Sequence, residues 1–147
     1  MVFDTTHPNE DFERYTNTNI GPAFSLIERL KMGRIGSRRM VIQSYSAEFW
    51  PLKSKFQDLL YGNIELRPQG IIVYAVNGGK RMGWIIPYRE LIIFDSDCFS
   101  LHAQGLVIKF EKNRYYKENK SFIRMMMSQR LNWFNQYEMP FDAATHD

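Results

Sequence analysis

The densest run of side chains able to do chemistry is DSDCFSLH, residues 95–102, which holds Asp95, Asp97, Cys98 and His102. Cys98 and His102 are four apart, so on an extended path they fall on one side of a strand, where a histidine base can approach a thiol. A working nucleophile also needs a group that orients the base or lowers the thiol pKa, and no third member stands at a fixed spacing. An enzyme built on this run requires a deep pocket that gathers all four side chains; an exposed scatter is the alternative. Asp95 and Asp97 could face a hard cation together, but an Asp-Ser-Asp turn ordinarily bonds its own backbone. His7, His102 and His146 are scattered and Cys98 has no second cysteine, so no zinc-ligand spacing is present. The expectation is no catalytic residue, no metal and no cofactor.

Basic residues offer more. The net charge is only +3, yet residues 29–39 hold Arg29, Lys31, Arg34, Arg38 and Arg39 with no acid between them. Residues 109–124 set six cations against Glu111 and Glu118. Such clusters attract phosphates or an acidic partner, and they also describe an ordinary solvated face. In NGGKRMG, residues 77–83, glycine-freed backbone amides stand beside Lys80 and Arg81, a candidate site for a phosphate or anionic lipid head group. The strand-to-helix setting of a nucleotide-binding P-loop is missing, and the same residues are good hairpin chemistry. In NRYYKENK, residues 113–120, Arg114, Tyr115, Tyr116, Lys117 and Lys120 mix cations with aromatics as a nucleic-acid surface does, with Arg38 and Arg39 as an extension. Tyrosines at a helix start also pack beneath it, and the net charge is small for a dedicated nucleic-acid binder.

Two residues of the last helical stretch point to contact with another protein. Met125, Met126 and Met127 cannot all face one core, since each helical residue turns about 100°. Met125 falls on the polar side, where a flexible thioether suits an adaptable interface. Arg130 falls inside the apolar stripe. It pairs with a carboxylate such as Glu90 or Asp95, lies at an interface, or packs its stem and sends its head to water.

The elements that must carry these residues follow from periodicity. The length of 147 residues, 44% of them hydrophobic, suits one folded domain. No stretch is apolar enough to span a bilayer, the start lacks the pattern of a secretory signal, and one cysteine requires no oxidising compartment. A cytoplasmic protein is expected. Residues 1–20 show no periodicity and read as a loose arm. Residues 21–33 read as a helix with Pro22 at its first position, Gly33 past its end, and Ala23, Leu26, Ile27 and Leu30 on a buried face. Residues 38–45 read as a strand, and residues 50–62 as a second helix with Leu52, Phe56, Leu59 and Leu60 buried.

From Asn63 the period becomes two. Strands are expected over 63–67, 70–76, 81–88, 91–94, a short stretch before Gln104, and 105–112, joined by the turns RPQG, NGGK and QG. Pro87 interrupts GWIIPYRELIIF and cannot donate to a ladder, so two strands meet at a corner over residues 87–90, with Arg89 and Glu90 outward. A final helix of about eighteen residues starts at a cap on Asn119 or Ser121, presents Ile123, Met126, Met127, Trp133, Phe134 and Tyr137, and stops at Pro140. Residues 138–147 read as a tail. The fold class is α+β, mainly β.

The run GNIELRPQGIIVYAV, then WIIPYRELIIF, SLHAQGLVIKF and SFIRMMMSQRLNWF, resembles the bacterial pleckstrin-homology-like domains over about half the chain. The resemblance implies a bent antiparallel sheet or partly open barrel, stoppered by the C-terminal helix, spanning residues 21–137 as one domain. It also implies a scaffold for binding proteins or lipid head groups, not for catalysis. One or two short N-terminal helices stand outside the usual pattern. The resulting expectation is a non-enzymatic interaction module that binds a protein partner or self-associates. The alternative is a binder of anionic lipid or nucleic acid through its basic loops.

Overall fold

A computed structural model describes residues 1–52 and 60–145. Its elements run β1 (Val2–Asp4), α1 (Glu10–Ile20), α2 (Leu26–Met32), β2 (Met40–Tyr45), β3 (Tyr61–Arg67), β4 (Gly70–Asn77) and β5 (Lys80–Pro87), then β6 (Ile92–Asp95), β7 (Phe99–Ala103), β8 (Leu106–Phe110), α3 (Arg114–Glu118) and α4 (Lys120–Thr145). Among the described residues the eight strands form one antiparallel sheet in the order β1-β5-β4-β3-β2-β8-β7-β6. The sheet is not closed, and with four helices around it the fold is α+β. No helix is long and apolar enough to cross a membrane among the described residues.

β2 is the pivot. Met40 and Val41 pair with β3, whereas Ile42, Ser44 and Tyr45 pair with β8, and the register slips between Ile42 and Ser44. A slipped residue bends a strand and sharpens its twist, so β2 carries the chain from one half of the sheet to the other. Gly62 permits the crossing, because a Cβ there would lie 2.8 Å from the Phe110 ring. The three turns expected from RPQG, NGGK and QG all join hairpins. The corner also stands where Pro87 requires it: β5 ends on Pro87, a 3₁₀ turn spans Tyr88–Glu90, and β6 begins at Ile92. Tyr88 is buried there, and Arg89 and Glu90 are exposed.

Two apolar layers result. Inside the bend, alternate residues of the strands, among them Ile64, Leu66, Val73, Trp84, Leu101 and Phe110, are fully buried. Phe49, from a 3₁₀ turn over Ala47–Leu52, packs edge-on against Trp84 at 5.4 Å. α4 contributes Phe122, Ile123 and Met126 to the same core. Each such side chain stabilises the fold by roughly 1.5–3 kcal/mol. The second layer lies on the other face of β4 and β5, where Phe12 and Ile20 of α1 bury Ile72 and Ile85.

Four expectations are corrected. Residues 1–20 are not a loose arm: β1 pairs with β5, and α1 is capped by Asn9, whose side chain accepts from Phe12 N. The helix expected over 21–33 begins only at Leu26. Ser25 and Glu28 form a reciprocal capping box that sets its start, so Pro22 and Ala23 precede it. Its supposed inner face is turned outward, with Leu26, Ile27 and Leu30 exposed and Met32 packed on the core instead. Of the helix expected over 50–62, residues 53–59, with Phe56 and Leu59, lie outside the described residues. Leu52 ends the 3₁₀ turn, and Tyr61 and Gly62 already belong to β3. Finally, α4 continues through Pro140 to Thr145, since a proline removes one helical hydrogen bond without obliging the chain to leave the helix.

Candidate functional site

The segment between α2 and β2 is laid along β3 like a rail. Leu66 N donates to Ile35 O at 2.8 Å, Ser37 N to Ile64 O at 2.8 Å, and Ile64 N to Ser37 Oγ at 2.8 Å. This extended path delivers Arg38 and Arg39 to opposite sides, as alternation demands. Arg38 is then gripped through its backbone by Asn119, a buried amide at the junction of α3 and α4. Arg38 N donates to Asn119 Oδ1 at 2.9 Å, and Asn119 Nδ2 donates to Arg38 O at 3.2 Å and Tyr115 O at 2.8 Å. Asn119 therefore does not cap α4 with its side chain, as its sequence position suggested. It fastens the start of α4 to the rail.

Between them lies a cleft of about 550 Å³ lined by Met32, Arg34, Arg38, Glu118, Asn119, Ser121, Phe122 and Met125. Met32 and Met125 are half-buried and Phe122 is buried, which gives the cleft an apolar floor. Arg34 and Arg38 are exposed at its wall, and neither makes a salt bridge among the described residues. Guanidinium groups so placed can fork onto carboxylate or phosphate oxygens. Glu118 is the one acid of the lining and narrows the cationic surface to the Arg34 and Arg38 side.

The residues singled out from sequence are distributed among several places. Arg114 and Tyr115 do come together: Arg114 lies 5.0 Å from the Tyr115 ring, and its Nη2 donates to the hydroxyl at 3.2 Å. Arg39 covers Tyr61 at 4.5 Å and approaches Tyr115 at 5.9 Å. The hydrogen bond and charge of Arg114, with Arg39 assisting, hold the Tyr115 phenol below its ordinary value. The faces of this aromatic pair are thus engaged by the chain's own arginines, where a nucleic-acid site would offer them to bases. Lys117 is exposed on α3.

At the hairpin between β4 and β5, Lys80 is exposed, but Arg81 is committed. Its Nε donates to Thr5 Oγ1 at 3.1 Å and its guanidinium lies 4.6 Å over Tyr74, which binds the N-terminal segment to the sheet. Met125 is not on a free polar face. It is half-buried and lines the cleft. Arg130 pairs with neither Glu90 nor Asp95: Nε and Nη2 donate to Leu91 O at 3.0 and 2.8 Å, and the head stacks on Phe134 at 4.8 Å. It latches α4 to the corner after β5.

The run 95–102 is likewise dispersed. Asp95 accepts from Tyr116 Oη at 2.8 Å and from Lys112 at 2.7 Å. His102 Nε2 meets Ser100 Oγ at 3.0 Å and stands edge-on to Phe94 at 4.9 Å, and burial, then Lys109, lowers its pKa. Asp95 and His102 line different clefts.

The sequence marks Arg34 only as a member of a basic run and Arg38 also as an extension of a nucleic-acid surface, and it does not point to Met32 or Phe122. The S-x-x-E at residues 25–28 signals where α2 starts, but not which of its faces meets the core. No family model, curated protein or solved structure matches the chain.

Proposed function

We propose that the chain is a non-enzymatic interaction module of pleckstrin-homology-like type, and that its ligand is an anionic group held in the cleft between α2, β2 and α4. The scaffold reading draws support from the bent antiparallel sheet, from β2 pairing with both halves, and from α4 packed across the core. β1, α1 and α2 are additions before that pattern. The observation that carries the ligand is the pair Arg34 and Arg38, which make no salt bridge among the described residues, beside an opening floored by Met32, Met125 and Phe122. Each charge-assisted hydrogen bond there would contribute roughly 1.5–3 kcal/mol.

An amide chemical-shift titration with inositol trisphosphate tests this. Shifts concentrated at Arg34, Arg38, Asn119 and Ser121, weakened by salt and lost in an Arg34→Gln, Arg38→Gln variant, are expected. Shifts that ignore both substitutions would remove the cleft from consideration. A second reading, association through a protein partner or a second copy, has its own observation. β6 is an edge strand, and its outward Ile92 and Phe94 are 53% and 55% exposed. Edge strands of that kind accept another strand, and an Ile92→Lys change that lowers the sedimentation coefficient would favour it.

A further inference from the structure

α2 carries a feature the cleft does not need. Leu26, Ile27 and Leu30 are 72%, 66% and 77% exposed, and no residue of the helix is buried. At about 100° per residue the three fall within about 100° of arc, with Met32, packed toward the core, roughly opposite. The apolar stripe therefore points straight away from the body of the protein, the reverse of an ordinary surface helix. Lys31 borders the stripe beyond Ile27, and Arg29 borders it beyond Leu26. Glu28, the one acid in residues 25–39, lies on the other side, where it closes the capping box with Ser25. Past the helix, Arg34 and Arg38 continue the positive charge along the cleft, while Arg39 turns to the opposite side over Tyr61.

We infer that α2 docks on an anionic lipid bilayer, its Leu26, Ile27 and Leu30 entering the interfacial layer while Lys31, Arg34 and Arg38 meet lipid phosphates. The inference rests on the anion-binding reading of the cleft and names the source of the anion. Charge complementarity selects this occupant. An outward apolar stripe flanked by cations and cleared of acids matches a surface that is uniformly negative at its head groups and apolar just beneath them. α2 also leads directly into the cleft, since Met32 at its end and Arg34 just after it both line it. Each cation near such a surface strengthens partitioning by roughly fivefold.

The test is co-sedimentation of the full chain with vesicles of phosphatidylcholine, with and without phosphatidylserine. The expected result is pelleting with the anionic vesicles only, reduced by salt. A Leu26→Ser, Ile27→Ser, Leu30→Ser variant, altering only exposed side chains, should keep the melting temperature and the inositol trisphosphate shifts while losing at least tenfold in vesicle affinity. Arg34→Gln with Arg38→Gln should reduce both readouts. If the trisphosphate titration succeeds but no vesicles are bound, membrane docking is overturned and the anion-binding cleft stands. If vesicles are bound and the triple serine variant is affected while the titration fails, docking stands without the cleft. If the triple variant instead converts an oligomer to monomer with vesicle binding unchanged, the stripe is a protein interface and the inference fails.

Discussion

Asp95 joins β6 to the helical end of the fold, with Tyr116 of α3 on one side and Lys112 on the other. Burial first, then the hydrogen bond and charge of Asp95, push the Tyr116 phenol up to about 12. An unfolded phenol ionises near 10, so between about pH 10 and 12 the unfolded chain has shed a proton that the folded chain retains, and stability falls as pH rises. Asp95 acts at the acidic end. Burial raises its pKa, but the hydrogen bonds from Lys112 and Tyr116 outweigh that, leaving it below the ordinary carboxylate value. Its contribution is present above about pH 4 and is lost as the pH falls below that of an unfolded aspartate. Denaturant melts across pH should therefore show Tyr116→Phe flattening the alkaline limb, with a share remaining from Tyr88 and Tyr74, whose pKa values burial also raises. Asp95→Asn should flatten the acidic limb and let phenolate absorbance appear at lower pH. An alkaline limb identical in wild type and Tyr116→Phe would contradict the assignment.

α1 sits on the sheet only because two strand positions lack a side chain. A Cβ on Gly70 would stand 2.4 Å from Ile86 O and 2.5 Å from Ile20 Cγ2, and one on Gly83 would stand 2.8 Å from the Phe12 ring. A backbone carbonyl inside a ladder yields less than a ring, so Gly70→Ala should cost about 3 kcal/mol and Gly83→Ala about 1–2 kcal/mol. Hydrogen exchange should show α1 losing protection in both variants, with β7 and β8 retaining theirs. Equal melting temperatures for wild type and Gly70→Ala would mean that α1 is not so closely docked. The same element shows what the sequence discloses. Turn chemistry is local, so RPQG, NGGK and QG announce their hairpins, and Pro87 announces its corner. EDFERYTNTNI carries only Phe12, Tyr15 and Ile20 as anchors, too sparse to read as a stripe. Its trace lies elsewhere, in β4 and β5, where GIIV and WII are apolar on both faces, as strands covered on both sides are. For α2 the stripe was legible but its direction was not, because periodicity reports amphipathicity and not what covers the face. The cleft was still less legible, since Asn119 meets Arg38 across 81 residues of chain.

An open sheet has edges to protect, and this molecule treats them differently. β1 pairs with β5 through Val2, Phe3 and Asp4, and Thr5 N adds a bond to Arg81 O. α1 covers the adjoining face, and its end is tied down where Gln69 N donates to Ile20 O at 2.9 Å. From the turn between β7 and β8, the Gln104 side chain reaches β5, donating to Ile85 O and accepting from Trp84 Nε1. β6, at the far end, has no such cover among the described residues. Removal of residues 1–20 therefore exposes at once an edge of β5 and the apolar face of Ile72 and Ile85, the combination most prone to intermolecular strand pairing. The truncated chain should sediment as larger species than the full chain and bind thioflavin on standing. Adding Ile72→Lys and Ile85→Lys to the truncation should reduce that association, because lysines on the bared face repel a second copy even though the β5 edge stays open. A truncated chain with the sedimentation and melting of the full one would show that β1 and α1 are accessories, and the two-layer account of this fold would have to be abandoned.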